Sequence, residues 1–104
     1  MPTRNKFWIH WVPCAALAFL SLGASADALQ VRSMAASCAG CHGTAGIAQP
    51  GMQSLAGQAK DELLKKMMDF KTGKRPATIM HQLSKGYSDQ QIEELASYFA
   101  ALKK

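Results

Sequence analysis

"SCAGCHGTAG", residues 37–46, governs how the rest of the chain is read. Cys38 and Cys41 stand three positions apart, and His42 follows the second directly. At the end of a helix, side chains three apart share a face, so the two thiols can act together. Three chemistries use such a pair: a redox dithiol, part of a zinc site, or covalent attachment of a haem. The flanking sequence separates them.

Upstream, "MPTRNK" carries Arg4 and Lys6 and no acid. "FWIHWVPCAALAFLSLG" is apolar, broken only by His10 and Pro13, and "ASA" ends at Ala26 before Asp27. A basic head, an apolar middle and a small-residue exit describe a secretory leader, residues 1–26, with cleavage expected after Ala26. The uninterrupted apolar run, Val12 to Gly23, is short of the roughly 20 residues a membrane span needs. Cys14 lacks the flanking residues of a lipidated cysteine. The expected domain is therefore 27–104, periplasmic and free of the membrane once the leader is removed. It keeps ten basic and seven acidic residues. That surplus is too small to point to nucleic acid and suits docking on an acidic protein. A domain this small buries only about 60% of its unfolded surface, so a cofactor acting as core is expected.

Downstream the pattern is helical. "DALQVRSMAASCAGCH" reads as a helix running into the cysteines, with Leu29, Met34 and Ser37/Cys38 on one face. "GTAGIAQPGMQSLAGQ" is an uncharged loop whose Ile47, Met52 and Leu55 are expected to pack on something apolar. "AKDELLKKMMDFKTG" is a helix with a stripe of Leu63, Leu64, Met67 and Phe70. Asp61, Glu62 and Lys71 suit its dipole, and Gly73 suits its C-terminal cap. "KRPATIMHQLSKG" reads as a short helix with Pro76 in its first turn and Gly86 at its close. "SDQQIEELASYFAALKK" opens on an S-x-x-Q capping box, Ser88 with Gln91. Its stripe is Ile92, Leu95, Ala96, Phe99 and Leu102. No strand pattern occurs, so the fold class is all-α: three main helices and a short one.

The rival chemistries now separate. The dithiol motif belongs with βαβ units, and no strands are expected. Zinc asks for four ligands, and the gap from His42 to His81 fits no finger spacing. Haem attachment fits the motif, the export signal and the small core. Cys38 and Cys41 would form thioethers, and His42 would bind the iron. The sixth position is either open or taken by protein. Met34 lies too near the cysteines, Met52 too near His42, and Met67 and Met68 are helical. Met80 is far enough along the chain to cross to the other side, with His81 as its competitor.

The stretches "CAGCHGTAG", "PGMQSLAGQ", "DFKTGKRPATIM", "SKGYSD" and "LASYFAALK" resemble a small class I cytochrome c of the c4/c553 type. "ATIMHQLSKGYSDQQIEELASYF" is similar to the cytochrome subunit of flavocytochrome c sulfide dehydrogenases. The resemblance implies a single covalent haem c, with Cys38 and Cys41 as tethers and His42 and Met80 as axial ligands. It implies that the Pro50 carbonyl accepts the His42 Nδ1–H bond, although Gln53 stands where this loop commonly has a second proline. It implies first and last helices packed across each other, with Phe70, Tyr87, Tyr98 and Phe99 around the ring. The function implied is one-electron transfer and no catalysis, with electrons taken from a flavoprotein that oxidises sulfide. Two alternatives remain: a free carrier serving a terminal oxidase, and a haem enzyme or gas sensor with an open sixth site. Lys60, Lys65, Lys66, Lys71, Lys74, Arg75 and Lys85 are candidates to steer docking or simply a solvated face.

Overall fold

The computed structural model describes residues 21–104, with side chains from Asp27 onward. The described residues form α1 (Ser21–Ala36), α2 (Ala39–His42), a 3₁₀ turn at Thr44–Gly46, α3 (Lys60–Thr72), α4 (Met80–Lys85) and α5 (Asp89–Ala101). No strand occurs among them, and the fold is all-α. Most of the expected leader lies outside the described residues, and α1 runs across the boundary expected at Ala26. Among the described residues no helix is long and apolar enough to cross a membrane.

Local chemistry sets the helix ends. At the start of α5, Gln91 N–H donates to Ser88 Oγ (3.1 Å) and Ser88 N–H donates to Gln91 Oε1 (2.9 Å). This is the expected capping box, and such a cap contributes about 1 kcal/mol. α3 ends on Gly73, which adopts φ +81° and donates its N–H to the Phe70 carbonyl. Asp61 and Glu62 occupy its first turn and Lys71 its last.

α5 packs against both α1 and α3, and α3 against α4. Ala35, Leu63, Leu95, Ala96 and Phe99 meet in one buried cluster, with Ile92 also fully buried. This is the apolar stripe expected of the last helix, closed by one face each of α1 and α3.

Four expectations about local structure are corrected. The N-terminal helix does not run unbroken into the cysteines. Ser37 Oγ and Ser37 N–H both bond to the Met34 carbonyl (2.7 and 3.2 Å), which turns the chain before α2 begins. Leu29 is 64% exposed and lies outside the core, because the helix face that meets α5 is centred on Ala35. Pro76 precedes α4 instead of opening it, since Thr78 and Ile79 are β-branched and disfavour helix. Ile47 is 51% exposed, whereas Leu55 in the same loop packs on the core.

Candidate haem-binding cavity

The elements leave a cavity of about 380 Å³ between them. One part of its wall comes from Ser37, Cys38, Cys41 and His42, at the junction of α1 and α2. α3 contributes Leu63, Lys66, Met67 and Phe70. Met80 and Leu83 come from α4, Tyr87 from the turn after it, and Leu95, Ala96 and Phe99 from α5. Met52, Gln53, Leu55 and Gln58 come from the long loop.

The two thiols differ in setting. Cys38 is half-buried and Cys41 exposed, and neither is in a disulfide among the described residues. Burial pushes the Cys38 thiol above its ordinary pKa, and a hydrogen bond with Ser37 pulls it partly back. Both open into the cavity beside His42.

His42 is held at both its backbone and its ring. Its N–H donates to the Cys38 carbonyl at 2.9 Å, and its Nδ1 lies 2.6 Å from the Gln53 carbonyl oxygen. A carbonyl only accepts, so Nδ1 carries a proton, and in the neutral ring Nε2 is the nitrogen whose lone pair can bind a metal. The expected partner, the Pro50 carbonyl, is corrected by this geometry. Met52 N–H bonds to Gln49 O (3.1 Å), and Gly51 has φ +95°, so Pro50 and Gly51 form the crest of a type II turn. Pro50 is exposed on that crest, and the chain returns to His42 three residues later.

Gly43 makes the turn beneath the histidine. At φ +84°, a Cβ there would fall 1.8 Å from the Ile47 carbonyl oxygen. The loop is stapled further along, where Leu55 N–H and Ala56 N–H both donate to Gly46 O (2.8 and 3.1 Å). Gly57 N–H donates to Phe99 O (3.0 Å), which ties the loop to α5.

Met80 opens α4 and reaches the cavity wall, while its neighbour His81 does not line it. His81 is half-buried, and its Nδ1 has no hydrogen-bond partner among the described residues. Ser84 is fully buried and donates its hydroxyl to the Met80 carbonyl at 2.7 Å. Sequence reading missed Ser84; the i, i+4 spacing within "MHQLS" was the available signal. Met52 and Met67 also line the cavity, whereas Met34 packs on the core. Met52 adjoins the carbonyl that braces His42, which puts it on the histidine's side.

Tyr87 was expected near the ring, and its anchoring is new. Its hydroxyl pairs with Ser37 Oγ at 3.1 Å, and its carbonyl accepts from Lys71 Nζ at 2.8 Å. Lys71 also pairs with Asp89 at 2.7 Å, so it ties α3 to the turn before α5. Tyr98 does not line the cavity. It stands edge-on to Phe99, ring centres 5.3 Å apart, one layer further out.

These residues fit a haem. Two thiols and an imidazole with a free Nε2 share one wall, a thioether stands on another, and the remainder is mostly aliphatic and aromatic. Among the described residues no three His, Cys, Asp or Glu side chains are grouped to hold a metal ion by themselves.

The family model "Cytochrome c" matches residues 31–103, and the chain belongs to that family. It is 40% identical over 68 residues to the cytochrome subunit of sulfide dehydrogenase from Chlorobaculum tepidum, covering 65% of this chain and 62% of that protein. It is 42% identical over 81 residues to cytochrome c4 of Pseudomonas aeruginosa, covering 77% of this chain and 40% of that one. The crystal structure of reduced recombinant cytochrome c4 from Pseudomonas stutzeri matches with a TM-score of 0.68 at 28% identity, over 76% of this chain and 50% of that chain. This chain thus spans less than two thirds of each of these three. It is a small class I c-type cytochrome, and its haem c is covalently bound.

Proposed function

We propose that this protein is a periplasmic one-electron carrier whose single haem is tethered by Cys38 and Cys41 and ligated by His42 and Met80. The bond between His42 Nδ1 and the Gln53 carbonyl carries the reading, because it occupies Nδ1 and leaves Nε2 as the nitrogen that can serve as an iron ligand. When bound, haem supplies reversible Fe(III)/Fe(II) cycling. The protein's part is to hold, orient and insulate. The thioethers keep the group attached in an exported protein, with the leader removed after Ala26. The Gln53 carbonyl fixes the imidazole plane and raises its basicity. Ser84 anchors the first turn of α4 and with it Met80, whose thioether favours the reduced state. Leu63, Phe70, Leu95 and Phe99 exclude water. With His42 and Met80 both holding the iron, no position on it would be left for a substrate.

The electron donor we favour is a flavoprotein that oxidises sulfide, supported by likeness to the sulfide dehydrogenase cytochrome subunit. A free carrier to a terminal oxidase is the second reading, supported by the likeness to cytochrome c4. Purification of the holoprotein from its native host distinguishes them. A flavin subunit that co-purifies and reduces this chain when sulfide is added supports the first; a free monomer that sulfide leaves oxidised overturns it.

A further inference from the structure

α3 carries four lysines, Lys60, Lys65, Lys66 and Lys71. Three are matched by carboxylates: Lys60 by Glu93 (3.1 Å), Lys65 by Asp69, and Lys71 by Asp89 (2.7 Å). Lys66 differs. Among the described residues it forms no ion pair, and it is the lysine that lines the cavity. It is half-buried, and its Nζ donates to Gln58 Oε1 at 3.2 Å.

That contact is built rather than casual. Gln58 donates its Nε2 to the Ser54 carbonyl, which turns its amide oxygen towards Lys66. Gln58 also lines the cavity. A neutral amide takes one of the three ammonium donors and leaves two. A partly desolvated cation beside apolar walls is unfavourable without a counter-charge. Among the described residues, this cavity therefore holds a positive charge with no carboxylate to meet it.

Haem c carries two carboxylates, its propionates, on the edge away from the vinyl groups that thioethers consume. With the vinyl edge at Cys38 and Cys41, the carboxylate edge would turn to the rest of the wall, where Lys66 is the only lysine or arginine among the described residues. We propose that Lys66, braced by Gln58 and Ser54, binds a haem propionate and sets how its charge acts on the iron. This rests on the haem reading given above. An ammonium at the propionate offsets negative charge near the iron, so it favours Fe(II) and raises the reduction potential.

The test uses the full-length holoprotein as wild type, K66Q, K66R and K65Q, read by the resonance Raman propionate-bending band and by the reduction potential. K66Q is expected to shift the band in the direction of a weaker hydrogen bond and to lower the potential. K66R retains the charge, binds a carboxylate in a fork, and is expected to keep the potential near wild type while moving the band the opposite way. K65Q, which removes a neighbouring charge, is expected to leave the band in place. If K66Q yields no holoprotein, K66R still decides through its band. A band that stays at the wild-type position in the K66 variants overturns the assignment. Should those variants keep covalent low-spin haem with an unmoved band, only the role of Lys66 falls; a wild-type protein without a haem spectrum removes the reading beneath it.

Discussion

The Nδ1 of His42 lies 2.6 Å from the backbone carbonyl oxygen of Gln53, and Pro50 stands apart from it on a turn. The acceptor is main chain, so the identity of the side chain at position 53 has little bearing on the imidazole. Gln53→Ala is expected to leave the reduction potential and the histidine ring resonances unchanged. Pro50→Ala is expected to cost about 0.4–1 kcal/mol through greater freedom of the unfolded chain, again without moving the potential. Denaturant titration and voltammetry of both variants check this. A potential that moves with Pro50 and not with the loop's return to Gln53 would return the bracing role to the proline.

Gly43 is the least replaceable residue beside the motif. Alanine there would need both a left-handed backbone and a Cβ 1.8 Å from the Ile47 carbonyl oxygen. Backbone strain of this kind costs of order 1–3 kcal/mol, and the clash is with main chain that cannot rotate away. Gly43→Ala is expected to lower stability by about 3 kcal/mol or more, and the loop beneath His42 should shift. A chemical denaturation midpoint equal to wild type would contradict this.

Much of this was legible because it is local. The capping box at Ser88, the left-handed cap at Gly73 and the stripe from Ile92 to Phe99 depend on neighbours within a turn, and all appear in the structure. What could not be read depends on partners far along the chain. Whether the Pro50 or the Gln53 carbonyl reaches His42 depends on how the loop folds back. Lys66 looked like one more surface lysine, because nothing in "ELLKKMM" shows that its helix face meets the cavity while Lys65 faces solvent. The break at Ser37 was hidden for another reason. Serine in "AASCAG" can sit in a helix or capture a nearby carbonyl, and only the fold shows it bonding to Met34.

Asp69 gives the fold a pH signature. The hydrogen bond from Lys65, aided by the charges of Lys65, Lys74 and Arg75, holds its carboxyl below the usual range. The folded pKa is thus lower than that of the unfolded chain, about 3.9. Its contribution is present above that value and is lost as pH falls through the folded pKa. Asp69→Asn should therefore be less stable than wild type near neutrality and equal to it in strong acid. Denaturation of both holoproteins from about pH 7 down to about pH 3 should show the gap narrowing as pH falls past the unfolded value, and a gap constant across that range would count against the pairing.

Met80 carries the sharpest prediction. Three methionines, Met52, Met67 and Met80, reach the cavity wall, but their backbones differ. Met52 adjoins the carbonyl behind His42, which places it on the histidine's side of a haem whose iron His42 would hold. Met67 sits mid-way along α3, between Leu63 and Phe70, where it fills space. Met80 begins a six-residue helix held by Ser84 through its own carbonyl. A ferric protein with Met80 bound should show low-spin absorption with a weak sulfur-to-iron band at the red edge. Met80→Ala is expected to abolish that band, lower the potential and open the iron to carbon monoxide, while Met67→Ala and Met52→Ala retain the band. If His81 takes the position instead, the wild-type spectrum is bis-histidine with a lower potential, and the same substitution at Met80 changes neither. Ser84→Val should keep the ligand but loosen it, so that the band fades at lower temperature than in wild type.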